Sequence, residues 1–440
     1  MSDLLISGAR ILGETSADIL IRDGLVARVS TTGAIEPDGA VEVVEADGLA
    51  VLPGLVDLHT HLRQPGREDT ETVASGSAAA AAGGFTAVLA MANTDPVTDT
   101  AEAAGHVLDL GREAGLVDVQ PVGAVTKHLA GEELAELGLM ARSRARVRVF
   151  SDDGRCVSDA RLMRRALEYI RPFGGVISQH SQDPRLADAT ACCHEGEVSG
   201  RLGLPGWPAP AESTIIARDA MLARHTGSRV HVAHVSTAEG VEVVRWAKAR
   251  GIALTAEVTP HHLALDVDLV RGYDPVFKVN PPLRPDEDVE ALRDALADGT
   301  IDAVATDHAP HARHDKEHAF VDAAFGMLGL ETAFSVVHDV MVRTGRMSLA
   351  DLAERMSFAP ARIAGLTGHG RPVAQGEPAN LVLVDTDASV TVDRDASHSL
   401  SRNNPWHGLT YTGAVHTTIL RGTITALHGR ARTGGQEDRS

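Results

Sequence analysis

Along the first fifty residues, apolar runs alternate with polar positions and are cut by glycine and polar turns, as in LLISGARIL, ADILIRDGLVARVS and VEVVEADGLAVL. That texture predicts short strands. It returns near the C-terminus in ANLVLVDTDASVTV and HTTILRGTITALHG. Between about 55 and 345 the rhythm changes, and short apolar runs alternate with alanine-rich stretches of helical spacing. This is the pattern of βα units around a parallel sheet. Eight strand candidates lie there: GLVDLHTH, FTAVLAMANT, VDVQPVGAVT, ARVRVFSDDG, GGVISQHSQD, SRVHVAHVST, GIALTAEVTP and IDAVATDHAP. Eight such units over this length predict an α/β fold of the TIM-type (β/α)8 barrel class. Neither terminal strand set can bury a face alone, so both are expected to combine into a small β-sandwich. The expected division is 1–53 and 366–428 for the sandwich strands, 54–365 for the barrel and 429–440 for a flexible tail.

Charge narrows the function classes. Lys+Arg number 41 against 60 Asp+Glu, a formal net charge of -19, so neither nucleic acid nor an anionic membrane is an expected partner. No apolar run reaches the roughly 18–20 residues of a membrane span. The start, MSDLLISGARILGE, has no basic segment followed by a long apolar one, so no signal peptide is read there. Cys156, Cys192 and Cys193 do not make a disulfide framework, and a cytoplasmic location is expected. One feature stands apart: 21 histidines outnumber 3 Trp, 3 Tyr and 8 Phe together. Excess imidazole suits metal binding or proton transfer, and spacing must decide between them.

The spacing places ionisable groups at strand ends. His59 and His61 sit two apart at the end of the first strand, so both imidazoles face one way, with Asp57 on the same face. The fourth strand offers Asp152 and Asp153, the fifth His180, the sixth His231 and His234, and the eighth Asp307 and His308. In a parallel barrel these ends share one rim. An isolated His-x-His pair is common by chance, but donors at five rim positions together favour a metal site. Imidazole with carboxylate suits Zn²⁺, with Mn²⁺ or Co²⁺ as substitutes. Such an ion acidifies a water molecule, and Asp307 is placed to act as general acid/base. Asp307 could instead cap a turn.

These segments carry a resemblance. PGLVDLHTHLRQPGREDTETVASGSAAAAAGGFTAVLAMANTDPVTD, VFSDDG, VAHVST, EVTPHHL, KVNPPLR, ATDHAPH and AAFGMLGLET resemble the dihydroorotase family of the amidohydrolase superfamily, most closely its type I bacterial form. The resemblance runs from about residue 3 to about 425. It implies reversible cyclisation of N-carbamoyl-L-aspartate to L-dihydroorotate, in pyrimidine synthesis, at one or two zinc ions. It also implies that His59, His61, Asp153, His180, His234 and Asp307 are the metal ligands, with Asp307 also catalytic. Arg63 and Asn93, with His61, match residues that contact the substrate carboxylate; Asn280, His311 and the Phe325–Gly326 pair match further substrate contacts. The segment from His311 to Phe325 is then expected to be a mobile loop over the mouth. A homodimer is expected, and association with aspartate transcarbamoylase is left open.

The fourth strand is informative within that resemblance. Related hydantoinases and allantoinases bridge two metals with a carboxylated lysine, whereas ARVRVFSDDG has none, so Asp153 is expected to bridge. Asp152 is the alternative, since adjacent residues of an extended strand face opposite ways. Taken alone, Arg63 could form a rim salt bridge to Glu68 or Asp69, and Asn93 could cap a loop. Two departures from the family pattern, Gln64 for Glu and Ser181-Gln182 after His180, are expected to alter polarity behind the site. Two other functions compete: a related cyclic amidohydrolase, such as a dihydropyrimidinase or allantoinase, and a non-catalytic partner of aspartate transcarbamoylase.

Overall fold

All eight runs form parallel strands in the computed structural model, which describes residues 3–36 and 41–432. They are Leu55–Thr60, Phe85–Ala90, Asp118–Pro121, Val149–Phe150, Val176–Gln179, Arg229–Val232, Leu254–Val258 and Ala303–Val304. Ladders join the first three and the last five. Two isolated parallel bridges, Gly123 to Phe150 and Thr60 to His308, span the gaps between these sets. At the second, the His61 N–H donates to the His308 carbonyl at 2.9 Å, so the first and eighth strand ends are held side by side.

Threonines mark where the chain leaves a strand for a helix. The hydroxyls of Thr72, Thr100 and Thr237 accept from Ser75, Ala103 and Gly240 N–H groups at the starts of helices Val73–Ala82, Ala101–Ala114 and Ala238–Ala249. Each satisfies a donor that the first helical turn would otherwise leave unpaired. The helix Val73–Ala82 is mostly buried and ends in five alanines, 78–82. Its small side chains allow close approach to the terminal sheet, where the Thr418 hydroxyl donates to the Ala81 carbonyl at 2.7 Å.

Inside the barrel, the strand period of two positions the site. Leu89 and Met91, Val149, Val176, and Ala303 with Ala305 pack in one apolar cluster with Ile363 and Ala364. Continuing the same alternation along each chain reaches Asn93, Asp153, His180 and Asp307. In these four strands one set of register positions therefore supplies both an apolar floor and a polar mouth.

The termini build one nine-stranded mixed sheet. Its centre is Leu381–Thr391, Ala50–Pro53 and Asp3–Ile11, and Val41–Glu45 pairs alongside the last of these. Ile6, Ile19 and Ile21 share an apolar cluster with Leu381, Leu383, Ile419 and Ile424. The sandwich-like core thus comes from one continuous sheet, and its edge strand Leu25–Thr31 meets the loop before Leu381, with Val26 N–H donating to the Glu377 carbonyl at 2.9 Å. Ala50–Pro53 leads after one residue into the first barrel strand, so this sheet anchors the strand that carries His59. Of the expected tail, Arg430–Ala431 pairs with Thr423–Leu427, and residues 433–440 lie outside the described residues. Among the described residues, no helix is long and apolar enough to cross a membrane.

Candidate metal centre

His59, His61, Asp153 and Asp307 form one group of potential ligands, and Asp153, His180 and His234 form a second. All six residues are buried. Asp153 belongs to both groups. Its Oδ2 lies 3.2 Å from His59 Nε2 and 3.3 Å from His61 Nε2. Its Oδ1 lies 3.4 Å from His180 Nδ1 and 3.3 Å from His234 Nε2. Asp307 Oδ1 adds a second carboxylate to the first group, 3.1 Å from His61 Nε2 and 3.5 Å from His59 Nε2. His234 and Asp307 adopt left-handed φ values of 33° and 46° just beyond their strands, and Arg63 does so at 59°. Such backbone costs on the order of 1–3 kcal/mol per residue and collects where side chains must be aimed.

Groups behind the imidazoles set their tautomers. His59 Nδ1 lies 3.0 Å from Glu257 Oε1, His61 Nδ1 2.8 Å from Asn93 Oδ1, and His180 Nε2 2.9 Å from Gln182 Oε1. Each ring nitrogen that donates to such an oxygen leaves the opposite nitrogen as a lone pair facing Asp153. His59 Nε2 is buried and has no hydrogen-bond partner. Converging lone pairs beside two carboxylates are a repulsive arrangement unless a cation lies between them. The charge balance agrees. Burial alone would lower His59, yet Asp153 and Asp307 lift it well above its usual range. Against the burial that would raise it, His59, His180 and His234 hold Asp153 well below the usual carboxylate range. The donor set, the unpartnered nitrogen and the buried negative charge all fit a divalent metal.

A cationic corner adjoins this cluster. Arg63 Nε donates to the Pro310 carbonyl at 3.1 Å, and its Nη2 lies 3.4 Å from His311 Nε2. Burial pushes the guanidinium down to about 10, where it remains charged at neutral pH. The acids weighed as rim partners go elsewhere: Asp69 pairs with Arg67, and Glu68 accepts from Gly66 N–H. Asn93 caps no loop through its oxygen, which meets His61. Asn280 Nδ2 lies 3.1 Å from Gln182 Oε1 and 3.4 Å from His180 Nε2, beside the second ligand group.

The segment from His311 to Phe325 folds over this corner and contains the short helix Arg313–Lys316. His311 Nε2 lies 2.6 Å from the Phe325 carbonyl, to which it donates. Gly326 follows at φ 139°. A Cβ there would sit 2.7 Å from Ala309 Cβ and 2.9 Å from His311 Nε2. Gly326→Ala is therefore expected to cost about 1–3 kcal/mol through overpacking and strain. A thermal scan checks this, and an unchanged melting temperature contradicts it.

Three strand-end donors do not join the cluster. Asp152 Oδ1 accepts from Val125 and Thr126 N–H at 2.8 and 3.0 Å, and its Oδ2 from the Thr126 hydroxyl at 2.5 Å. His308 lies 3.3 Å from Glu71 and accepts from Gly329 N–H. His231 Nε2 meets Glu257 Oε2 at 2.9 Å. Asp57 accepts from the Thr60 and Thr306 hydroxyls and from the Thr306 and His59 N–H groups, tying the first strand to the eighth. Reading the sequence missed Glu257, which links His231 to His59 and is fully buried. Its signals were an acid within an apolar strand and its place at the head of EVTPHHL. Asn403 was also missed; it holds Ala309 O and Gly326 O and accepts from His311 N–H. Of the two departures, Gln182 touches His180, whereas Gln64 accepts from Val73 N–H at a helix start.

Comparison with known proteins agrees with this geometry. A family model described as dihydro-orotase-like matches residues 48–240, and one described as amidohydrolase family matches 210–425. The chain is 59% identical over 430 residues to a dihydroorotase of Streptomyces coelicolor, covering 98% of this chain and 100% of that one. It is 57% identical over 431 residues to a dihydroorotase of Leifsonia xyli, covering 98% of each. A solved L-hydantoinase (dihydropyrimidinase) from Arthrobacter aurescens has a TM-score of 0.85 at 27% identity, covering 98% of each chain. Identity this high along nearly the whole length, with a buried histidine–aspartate cluster at the barrel mouth, places the chain in the dihydroorotase family of the amidohydrolases.

Proposed function

We propose that this chain interconverts N-carbamoyl-L-aspartate and L-dihydroorotate at two zinc ions, held by His59, His61, Asp153, His180, His234 and Asp307. The observation that carries the reading is Asp153, one buried carboxylate with each oxygen turned to two imidazoles. A carboxylate in that place makes a carboxylated lysine unnecessary. The four lysines are engaged elsewhere: Lys127 with Glu133, Lys248 with Asp302, Lys278 with Val321 O, and Lys316 with the carbonyls of Lys278, Ala324 and Gly326. This supports the type I form over the hydantoinase branch. When bound, the divalent ions polarise the amide carbonyl and make water a competent nucleophile near neutral pH.

The chain's own groups supply the rest. Arg63 offers a planar cationic fork for the ring carboxylate, giving orientation as well as affinity. Asn93, aligned by His61, and Asn280 offer amide donors around the ring; His311, Phe325 and Gly326 cover it. Against the burial that would raise it, His59 and His61 hold Asp307 well below the usual carboxylate range. It therefore enters ring opening ionised, takes the proton released by the attacking water, and delivers it to the departing ring nitrogen. In ring closure the same carboxyl accepts the ureido proton and returns it to the leaving oxygen. With this reading go a cytoplasmic homodimer and, as a partner to test by co-sedimentation, aspartate transcarbamoylase.

Ring closure removes a carboxylate and takes up a proton. Its equilibrium is expected to move toward L-dihydroorotate by about tenfold per unit fall in pH across neutrality. Product ratios at equilibrium check the sign, and a pH-independent ratio contradicts it. The function is tested by loss of ultraviolet absorbance of L-dihydroorotate, with dihydrouracil, hydantoin and allantoin run beside it in zinc-loaded protein. Strong preference for the anionic ring is expected. Faster opening of a neutral ring overturns the role of Arg63 and the choice of substrate.

A further inference from the structure

We infer that Lys316 is a positioning residue, a latch that holds the segment 311–326 against the mouth and so sets the substrate-facing Phe325–Gly326 backbone. Its side chain is buried within the segment it belongs to. Nζ donates to three carbonyl oxygens: Ala324 at 2.8 Å, Gly326 at 3.1 Å and Lys278 at 3.3 Å. An ammonium has three N–H donors, and three carbonyls can satisfy all of them. The first two acceptors flank Phe325, and the third belongs to the chain two residues before Asn280. One side chain thus fastens the loop to itself and to the loop segment that carries Lys278 and Asn280.

Neighbouring contacts converge on the same backbone. Gly326 N–H donates to the Lys278 carbonyl at 2.9 Å. Asn403 Nδ2 reaches the Gly326 carbonyl at 3.1 Å, sharing that oxygen with Lys316. Lys278 Nζ donates to Val321 O and lies 4.3 Å from the centre of the Phe325 ring. His311, which donates to the Phe325 carbonyl, lies against Arg63. Displacing Phe325 and Gly326 therefore disturbs the corner that would bind the ring carboxylate, while the metal-facing groups stay in place. Burial and the nearby Lys278 push the Lys316 ammonium down to about 7, and its donors are shared among three carbonyls, so removing this one buried group releases several constraints together.

The substrate part of this inference rests on the proposed dihydroorotase reading; the latch itself does not. The experiment is Lys316→Met in the zinc-loaded full chain, with KM and kcat for L-dihydroorotate and the rate of cleavage after Glu317 by a glutamate-specific protease. Glu317 is exposed on the same segment. KM is expected to rise about tenfold with kcat changed less than threefold, and cleavage to quicken about tenfold; Lys316→Arg, which keeps the charge, is expected to recover part of both. Should Lys316→Met fail to fold, Lys316→Gln carries the same two readouts. A folded variant with wild-type KM and wild-type cleavage overturns the latch, and so does an equal fall in kcat with unchanged KM. If the unaltered protein does not open dihydroorotate, the functional reading fails and the cleavage rate alone decides the latch.

Discussion

Replacing Asp307 by asparagine is expected to lower opening of L-dihydroorotate by about a thousandfold, within the range that a positioned general acid/base contributes. The substitution keeps the side chain's shape beside His59 and His61, from which Asp307 Oδ1 lies 3.5 and 3.1 Å. It removes the group that can hold a proton between water and ring nitrogen. Metal content must be measured on the same sample, because Asp307 is also placed as a ligand. A variant that retains its zinc and loses turnover isolates the proton-transfer role. Turnover within tenfold of the unaltered enzyme contradicts that role, and an intermediate loss accompanied by lost zinc assigns the residue to metal binding alone.

Asp153→Ala is expected to have a comparable effect on turnover and a larger one on metal. Both groups of ligands depend on this carboxylate, so its loss leaves two imidazoles and Asp307 in one group and two imidazoles in the other. Zinc is expected to fall from two per chain to at most one, with turnover down by about a thousandfold or more if metal activation is needed. Asp152→Ala is the control. That side chain binds three donors from Val125 and Thr126, so its loss is expected to lower the melting temperature while zinc stays bound. Metal analysis and thermal scans on the pair separate the neighbours; equal metal loss in both contradicts the assignment of Asp153 as the shared ligand.

That pair also shows how far a sequence carries. The eight strands were readable because apolar runs and helical stretches alternate, and the period of two placed His59 and His61 together. Which aspartate faces inward was settled only by contacts with Val125 and Thr126, more than twenty residues away in the chain. His231 was read, with His234, as a donor at the end of the sixth strand. Three positions do not preserve strand facing, and His231 turns into the barrel toward Glu257. Glu257 opens the EVTPHHL segment but was given no role, since its importance comes from His59 on a strand almost two hundred residues earlier. By spacing alone Arg63 could have paired with Glu68 or Asp69, but Arg67 takes Asp69, together with Asp315. The continuous terminal sheet was hidden for the same reason: local alternation shows strands but not which strands pair.

The most direct measurement is L-dihydroorotate turnover while zinc is titrated into chelator-stripped protein, with Asp153→Ala in parallel. Activity should appear only with zinc, rise to a plateau near two equivalents per chain, and stay absent in the variant. Full turnover before zinc is added, or an Asp153→Ala variant that follows the unaltered titration, would contradict the shared-carboxylate metal centre.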